Sequence, residues 1–314
     1  MRRWVLPVVA LIAVAVVGFA VVTTRDREPP SGPPARPSRP LTAPPLSHPS
    51  PTPPRAVAIR FGTFNILGFG HTGRHGNKPG YQGGRRRMGW ALRLLDRHRL
   101  GVVGLQEMED KQWLAFHRRS KGRFGAYPGL RPRRHAAVKN TIVWRRKTWR
   151  LVSARVLEVP YFFGRDRPQP YVLLEHRRTG GRVWFYNSHN PADVRGQAAR
   201  LRRVGFRREA RLVNRLRHRH PEVPVVSLGD KNAHADYFCP LARRTGMISA
   251  DGARVRHGRC VLKRRPIIDW ILTTPDLVVT GYAAVTDDLV RRASDHPLVY
   301  AVGWLSPPGG WPHG

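Results

Sequence analysis

Hydrophobic and polar positions change period several times along the chain. From Ala56 to Asn65, AVAIRFGTFN alternates with period two, which predicts a strand that stops at Ile66-Leu67-Gly68. The glycine-rich, basic stretch from Gly68 to Gly84 predicts a loop. In Arg85 to His98, Met88, Ala91, Leu92 and Leu95 fall at helical spacing, and GVVGLQ at 101 to 106 then predicts a buried strand ending at Glu107. Short runs rich in β-branched or aromatic residues predict strands at 141 to 144, 151 to 156, 172 to 174 and 183 to 187. The longest helix is predicted at 196 to 219, with Ala198, Leu201, Gly205, Leu212 and Leu216 on one side and many arginines elsewhere. PVVSL at 224 to 228, IIDWIL at 267 to 272 and HPLVYAVGW at 296 to 304 complete the strands. Helix-strand pairs separated by hairpin-like runs predict an α/β fold, a four-layer α/β sandwich of two packed mixed β-sheets flanked by helices.

The pattern breaks down before residue 56. Arg2 and Arg3 precede a run without charge from Trp4 to Thr24, which reaches the roughly 20 residues needed to span a bilayer. Residues 1–27 therefore read as a transmembrane anchor, and the same pattern describes a cleaved export signal. The basic start keeps the N-terminus in the cytoplasm and places the rest outside it. Residues 28–55 are dominated by proline, serine and threonine, which have almost nothing to bury, so they predict an extended, semi-rigid linker. One domain at 56–306 and a short tail at 307–314 follow, and a monomer is expected.

Charge narrows the partners. The 314 residues include 56 Lys and Arg against 20 Asp and Glu, a formal charge of +36. Such an excess attracts polyanions: nucleic acid, anionic lipid or acidic wall polymers. Only two cysteines occur, Cys239 and Cys260, and in an exported domain they predict a disulfide.

Polar residues recur at predicted strand ends: Asn65, Glu107, His189, Asp230 with Asn232, Asp269, and Asp295 with His296. Hard oxygen ligands and imidazoles of this kind suit Mg²⁺ or Mn²⁺ and phosphate better than zinc-thiolate chemistry. No Gly-x-Ser-x-Gly elbow supports a serine triad. Taken singly, each has a plainer explanation: Asn65 as a turn former, Glu107 as a helix cap, Asp230 as an Asx-turn residue. Asp269 resists one, because a carboxylate inside an apolar strand needs a partner, and His296 is the natural choice.

The ordered set FNI at 64 to 66, LQE at 105 to 107, NSHN at 187 to 190, SLGDKN at 227 to 232, IDWIL at 268 to 272 and SDHPLV at 294 to 299 resembles the endonuclease/exonuclease/phosphatase superfamily. The resemblance implies that Asn65 and Glu107 help to hold a divalent metal, with Asp295 nearby. It implies Mg²⁺, with Mn²⁺ or Ca²⁺ as alternatives. Asp230 and Asn232 match the pair that positions water and phosphate, His189 the histidine at the phosphoryl oxygens, and His296 the histidine at the scissile phosphate, oriented by Asp269. In an extended segment, residues 230 and 232 would point to the same side. Lys231 stands where the superfamily often has an apolar residue. Pointing away from the pocket, it needs a solvent path or an acidic partner.

The loop Gly68 to Arg87 and the segment GLRPRRH at 129 to 135 supply candidate substrate contacts: Arg74, Arg85 and Arg134 for phosphates, and Tyr81 for stacking on a base. The expected activity is that of an exported or anchored phosphodiesterase, foremost an endonuclease. A sphingomyelinase-type lipid phosphodiesterase or other phosphatase is the alternative, and a polyanion-binding surface protein is the non-enzymatic one.

Overall fold

The computed structural model describes residues 56–130, 139–262 and 267–308. The expected anchor at 1–27, the linker at 28–55, Arg134 and the tail beyond 308 lie outside the described residues. Among the described residues, no helix is long and apolar enough to cross a membrane.

One six-stranded sheet has the order β13-β14-β1-β2-β4-β3, formed by β1 (Val57–Asn65), β2 (Val102–Gln106), β3 (Phe124–Tyr127), β4 (Asn140–Arg145), β13 (Val278–Val285) and β14 (Leu298–Leu305). The other has the order β5-β6-β7-β8-β12-β9, formed by β5 (Trp149–Pro160), β6 (Asp166–His176), β7 (Arg182–His189), β8 (Val225–Asp230), β9 (Ile248–Ser249) and β12 (Asp269–Thr273). A separate hairpin joins β10 (Arg254–Arg256) and β11 (Arg259–Val261). Each large sheet is mixed, with one parallel pair near its centre: β1 with β2, and β7 with β8. Helices make those two crossovers, α1 (Gly84–Arg97) and α3 (Ala198–Arg219). The remaining helices are α2 (Asp110–Ser120), α4 (Ala235–Thr245) and α5 (Asp288–Ala293).

Three apolar clusters make the four layers. Phe61, Val102, Phe185, Leu228 and Val299 belong to the core between the sheets. Met88, Leu92, Leu95 and Phe116 pack α1 and α2 on the first sheet, and Leu212, Leu216, Tyr237 and Phe238 pack α3 and α4 on the second. The sheets come close together at Gly104, where an added Cβ would lie 2.6 Å from Asn187 Oδ1. Polar groups bridge the seam there: Gln106 Nε2 donates to Asn187 Oδ1 at 2.6 Å, and Asn187 Nδ2 donates to Leu105 O at 3.0 Å.

The expected sandwich is the observed one, with local differences. The long helix begins at Ala198, after Gly196 at a φ of 59°. The predicted loop at 68 to 84 contains one 3-10 turn, Phe69–Thr72. Helices α2, α4 and α5 and strands β3, β9, β10, β11 and β13 went unpredicted. The reasons are physical: α4 carries Pro240 within it, α2 leaves its Leu114 exposed, and β13 is an edge strand with no fully buried residue.

Candidate active site

The strand directions gather the chemistry. Asn65, His189 and Asp230 end β1, β7 and β8, and Glu107 follows β2 directly. The antiparallel β12 begins at Asp269, and β14 begins two residues after His296, so both approach from the same end. Across the second sheet His189, Asp230 and Asp269 are register neighbours.

Asp230 is the centre of the group and is almost fully buried. Its Oδ2 accepts from Asn65 Nδ2 at 3.1 Å and lies 3.5 Å from His189 Nε2 and 3.7 Å from His296 Nε2. Burial pushes its carboxyl up, against the opposing influence of the two imidazoles. Its Oδ1 accepts from the backbone N–H of Asn232 at 3.0 Å, so Asp230 is an Asx-turn residue and a site residue at once.

That turn corrects the expected extended segment. Asn232 adopts a left-handed φ of 49°, and its Nδ2 donates to Asn190 O at 2.9 Å. Glu107 is likewise left-handed, at a φ of 59°, and is not the helix cap: Glu109 caps α2 in a capping box with Gln112. Such backbone costs about 1–3 kcal/mol per residue and is tolerated where surroundings enforce it.

Glu107 collects donors on both oxygens: Asn65 Nδ2 at 3.0 Å, Gly68 N at 2.7 Å and His71 Nε2 at 3.3 Å. Burial pushes its carboxyl up, but these donors and the neighbouring His189 outweigh it and hold the group far below the usual range. Its hydrogen bond in turn raises His71 to about 9. Asp295, the third expected metal residue, instead pairs with Lys78 Nζ at 2.9 Å.

His296 Nδ1 faces both oxygens of Asp269, at 3.2 and 3.0 Å. Burial disfavours its charged form, but the Asp269 hydrogen bond and charge, with Asp230 and Asp295, raise it to about 10. His189 is the opposite case, pushed down by burial. Of the two imidazoles that flank Asp230, His296 is therefore held protonated and His189 neutral at neutral pH.

The donor set fits a hard divalent cation. Carboxylates converge without a thiolate among the described residues, and a histidine and a lysine already lean on Glu107 and Asp295 where positive charge is needed. Asp230, Asp269 and His296 also offer ligand atoms within 4.8 Å of one another. With both Asp269 oxygens facing the His296 ring, we read that trio as an acid-base pair beside a carboxylate.

Several residues were missed in the sequence. Gln169 Oε1 accepts from His189 N at 3.2 Å and Asn140 Nδ2 at 2.7 Å, fixing the end of β7. The buried Arg87 donates to Ile66 O, Leu67 O and Gly68 O at 2.6, 2.7 and 3.1 Å, which shapes the loop after Asn65. Beside Glu107 and His189 opens a cleft of about 600 Å³ lined in part by His71, Tyr161, Arg167 and Arg195. Among the proposed substrate contacts, Arg74 and Arg85 are exposed, and Tyr81 is half-buried. No local pattern marks Gln169, whereas His71, Lys78 and Arg87 lie inside the basic loop from Gly68 to Arg87, where nothing sets the buried Arg87 apart from its exposed neighbours Arg85 and Arg86.

Lys231 has an acidic partner. It is wholly buried on the far side of β8, with Nζ 3.2 Å from Glu209 Oε1 and 2.6 Å from Ser188 Oγ. Tyr237 and Ser227 also donate to Glu209 Oε1.

The model of the endonuclease/exonuclease/phosphatase family matches residues 62–296. The chain belongs to this family. No curated protein matches it in sequence. Solved structures share the family fold at low identity. A family protein from Bacteroides thetaiotaomicron is 15% identical with a TM-score of 0.61, covering 80% of this chain and 98% of that one. The human Nocturnin catalytic domain with bound sulfate is 17% identical at 0.55, covering 81% and 100%. D. rerio TDP2 complexed with a single-strand DNA product is 14% identical at 0.57, covering 78% and 98%. Members of the family are phosphoric ester hydrolases.

Proposed function

We propose that the chain is an exported, membrane-anchored or secreted, metal-dependent phosphodiesterase that cuts nucleic acid. The observation that carries the hydrolytic reading is the convergence of Asn65, Glu107, His189, Asp269 and His296 on Asp230. Glu107 and Asn65 would hold Mg²⁺, with Asp295 close by. When bound, the ion supplies charge neutralisation at the phosphoryl oxygens. Asp230 accepts the proton of the attacking water, a role suited to a carboxyl raised by burial. The oxygen of that water bonds to phosphorus as the opposite P–O bond breaks. His296, held protonated by Asp269, gives its proton to the leaving oxygen, and neutral His189 hydrogen-bonds a phosphoryl oxygen. Asn232 helps to fix Asp230 through its backbone N–H.

Two observations favour nucleic acid over the lipid and phosphatase alternatives: the +36 charge, and a similar protein that binds a single-strand DNA product. The fold alone does not choose. The test is cleavage of plasmid DNA, RNA and sphingomyelin side by side in Mg²⁺, with Asp230→Ala as control. Nucleic-acid cleavage that needs Asp230 is expected; release of phosphocholine alone would overturn the reading.

A further inference from the structure

Away from the catalytic carboxylates, a second cleft of about 720 Å³ opens between the first turns of α1 and the helix α5. Tyr81, Arg86, Trp90, Asp288, Arg291 and Arg292 are among the residues that line it. The Arg86 guanidinium stands 5.5 Å and that of Arg292 5.9 Å from the centre of the same Trp90 ring. Neither arginine has a carboxylate partner among the described residues. Arg291 differs, being tied to Asp288 and to the carbonyl of Thr286. Arg86 Nη1 donates to the neutral Gln82 Oε1 at 3.3 Å, which leaves both charges uncompensated: two guanidiniums against one indole are like charges gathered at a fixed place, and an anion between them would relieve their repulsion. Cation-π contact and the planar fork prepare arginine for a phosphate's oxygens.

The cleft adjoins the catalytic mouth by two routes. Lys78 touches Asp295, and Tyr81 N donates to Lys78 O at 3.2 Å. Arg292 precedes Asp295 by three residues, at most about 11 Å of chain. We infer that this cleft binds a second phosphate of the substrate strand, outside the one being cut, with Arg86 and Arg292 as its ligands and Tyr81 against the adjoining base or sugar. The inference rests on the nuclease reading and adds its polymeric substrate: a single small phosphoester would not reach both places.

The test is binding of a fluorescein-labelled single-stranded DNA 12-mer to the full chain in EDTA, which stops cleavage, over a salt series. Arg86→Gln/Arg292→Gln is compared with Arg211→Gln/Arg215→Gln, a charge-matched change on the exposed face of α3. Each lost phosphate contact lowers the slope of log affinity against log salt by about 0.7, so the cleft variant, which gives up one phosphate, should lose about 0.7 and the control none. An unchanged slope in the cleft variant, or an equal loss in both, overturns this site while leaving the nuclease reading standing. Wild-type protein that binds no DNA overturns both. Melting curves should coincide, since Arg86 and Arg292 are exposed. Loss of binding to phosphatidylserine vesicles with DNA binding intact would reassign the cleft to lipid and also overturn the inference.

Discussion

Lys231 Nζ lies 3.2 Å from Glu209 Oε1, and both side chains are sealed from solvent, with Lys231 immediately next to Asp230 in the chain. Breaking a buried pair strands the remaining charge, which costs about 3–5 kcal/mol, whereas replacing both partners with apolar groups is often neutral. Lys231→Met should therefore be strongly destabilised, and Lys231→Met/Glu209→Leu should recover most of the loss. Urea denaturation of the four proteins checks this; a double variant as weak as the worse single one would contradict it.

Glu107→Gln keeps the shape of the side chain and removes its charge. Calorimetric titration should show much weaker Mg²⁺ binding, and turnover should fall on the order of 10²-fold or more, with the circular dichroism spectrum still that of the folded protein. Wild-type titration in this variant would remove Glu107 from the metal site.

Asp269 and His296 act as one unit, so the two alanine variants should lose the same catalytic step. The double variant should then be little worse than the worse single one in kcat/KM. Strictly multiplicative losses would mean two independent roles.

The same pair sets a pH dependence of stability. His296 is raised from 6.5 to about 10 in the folded protein. Its contribution is complete below about 6.5, declines as pH rises, and is gone above about 10. In metal-free buffer, the gap in Tm between wild type and His296→Gln should narrow across that window, and a constant gap would exclude the linkage.

Cys239 and Cys260 form a disulfide between α4 and β11, with Cα atoms 5.6 Å apart and a sequence separation of 21. Native protein should show no titratable thiol. Reduction should cost about 3 kcal/mol, which lowers Tm by roughly 6–12 °C.

The sandwich was legible because its central strands are apolar and short, and because the first turns of α1 repeat at helical spacing. Asn65, Glu107, Asp230 and Asp269 stood out as polar groups at the limits of apolar runs, a signal that needs no knowledge of topology. Gln169 and Arg87 carry no such signal: each matters through contacts with residues far along the chain, at separations of 20 positions for Gln169 with His189 and 21 for Arg87 with Ile66. Asn232 was misjudged because an Asx turn competes with strand geometry over a single residue, and aspartate favours that competition. Lys231 could be placed on the far side of β8 by alternation, but its partner Glu209 lay hidden in a helix whose other charges are arginines.

The close approach at Gly104 has one more consequence. Asn65 and Glu107 ride on one sheet, and His189, Asp230 and Asp269 on the other, so the reacting groups are aligned by how the two sheets sit on each other, across a contact that leaves no room for a methyl group. Gly104→Ala would act as a wedge. Rate would then fall at temperatures where the circular dichroism spectrum is still native, making catalysis the more sensitive gauge of the sheets' alignment.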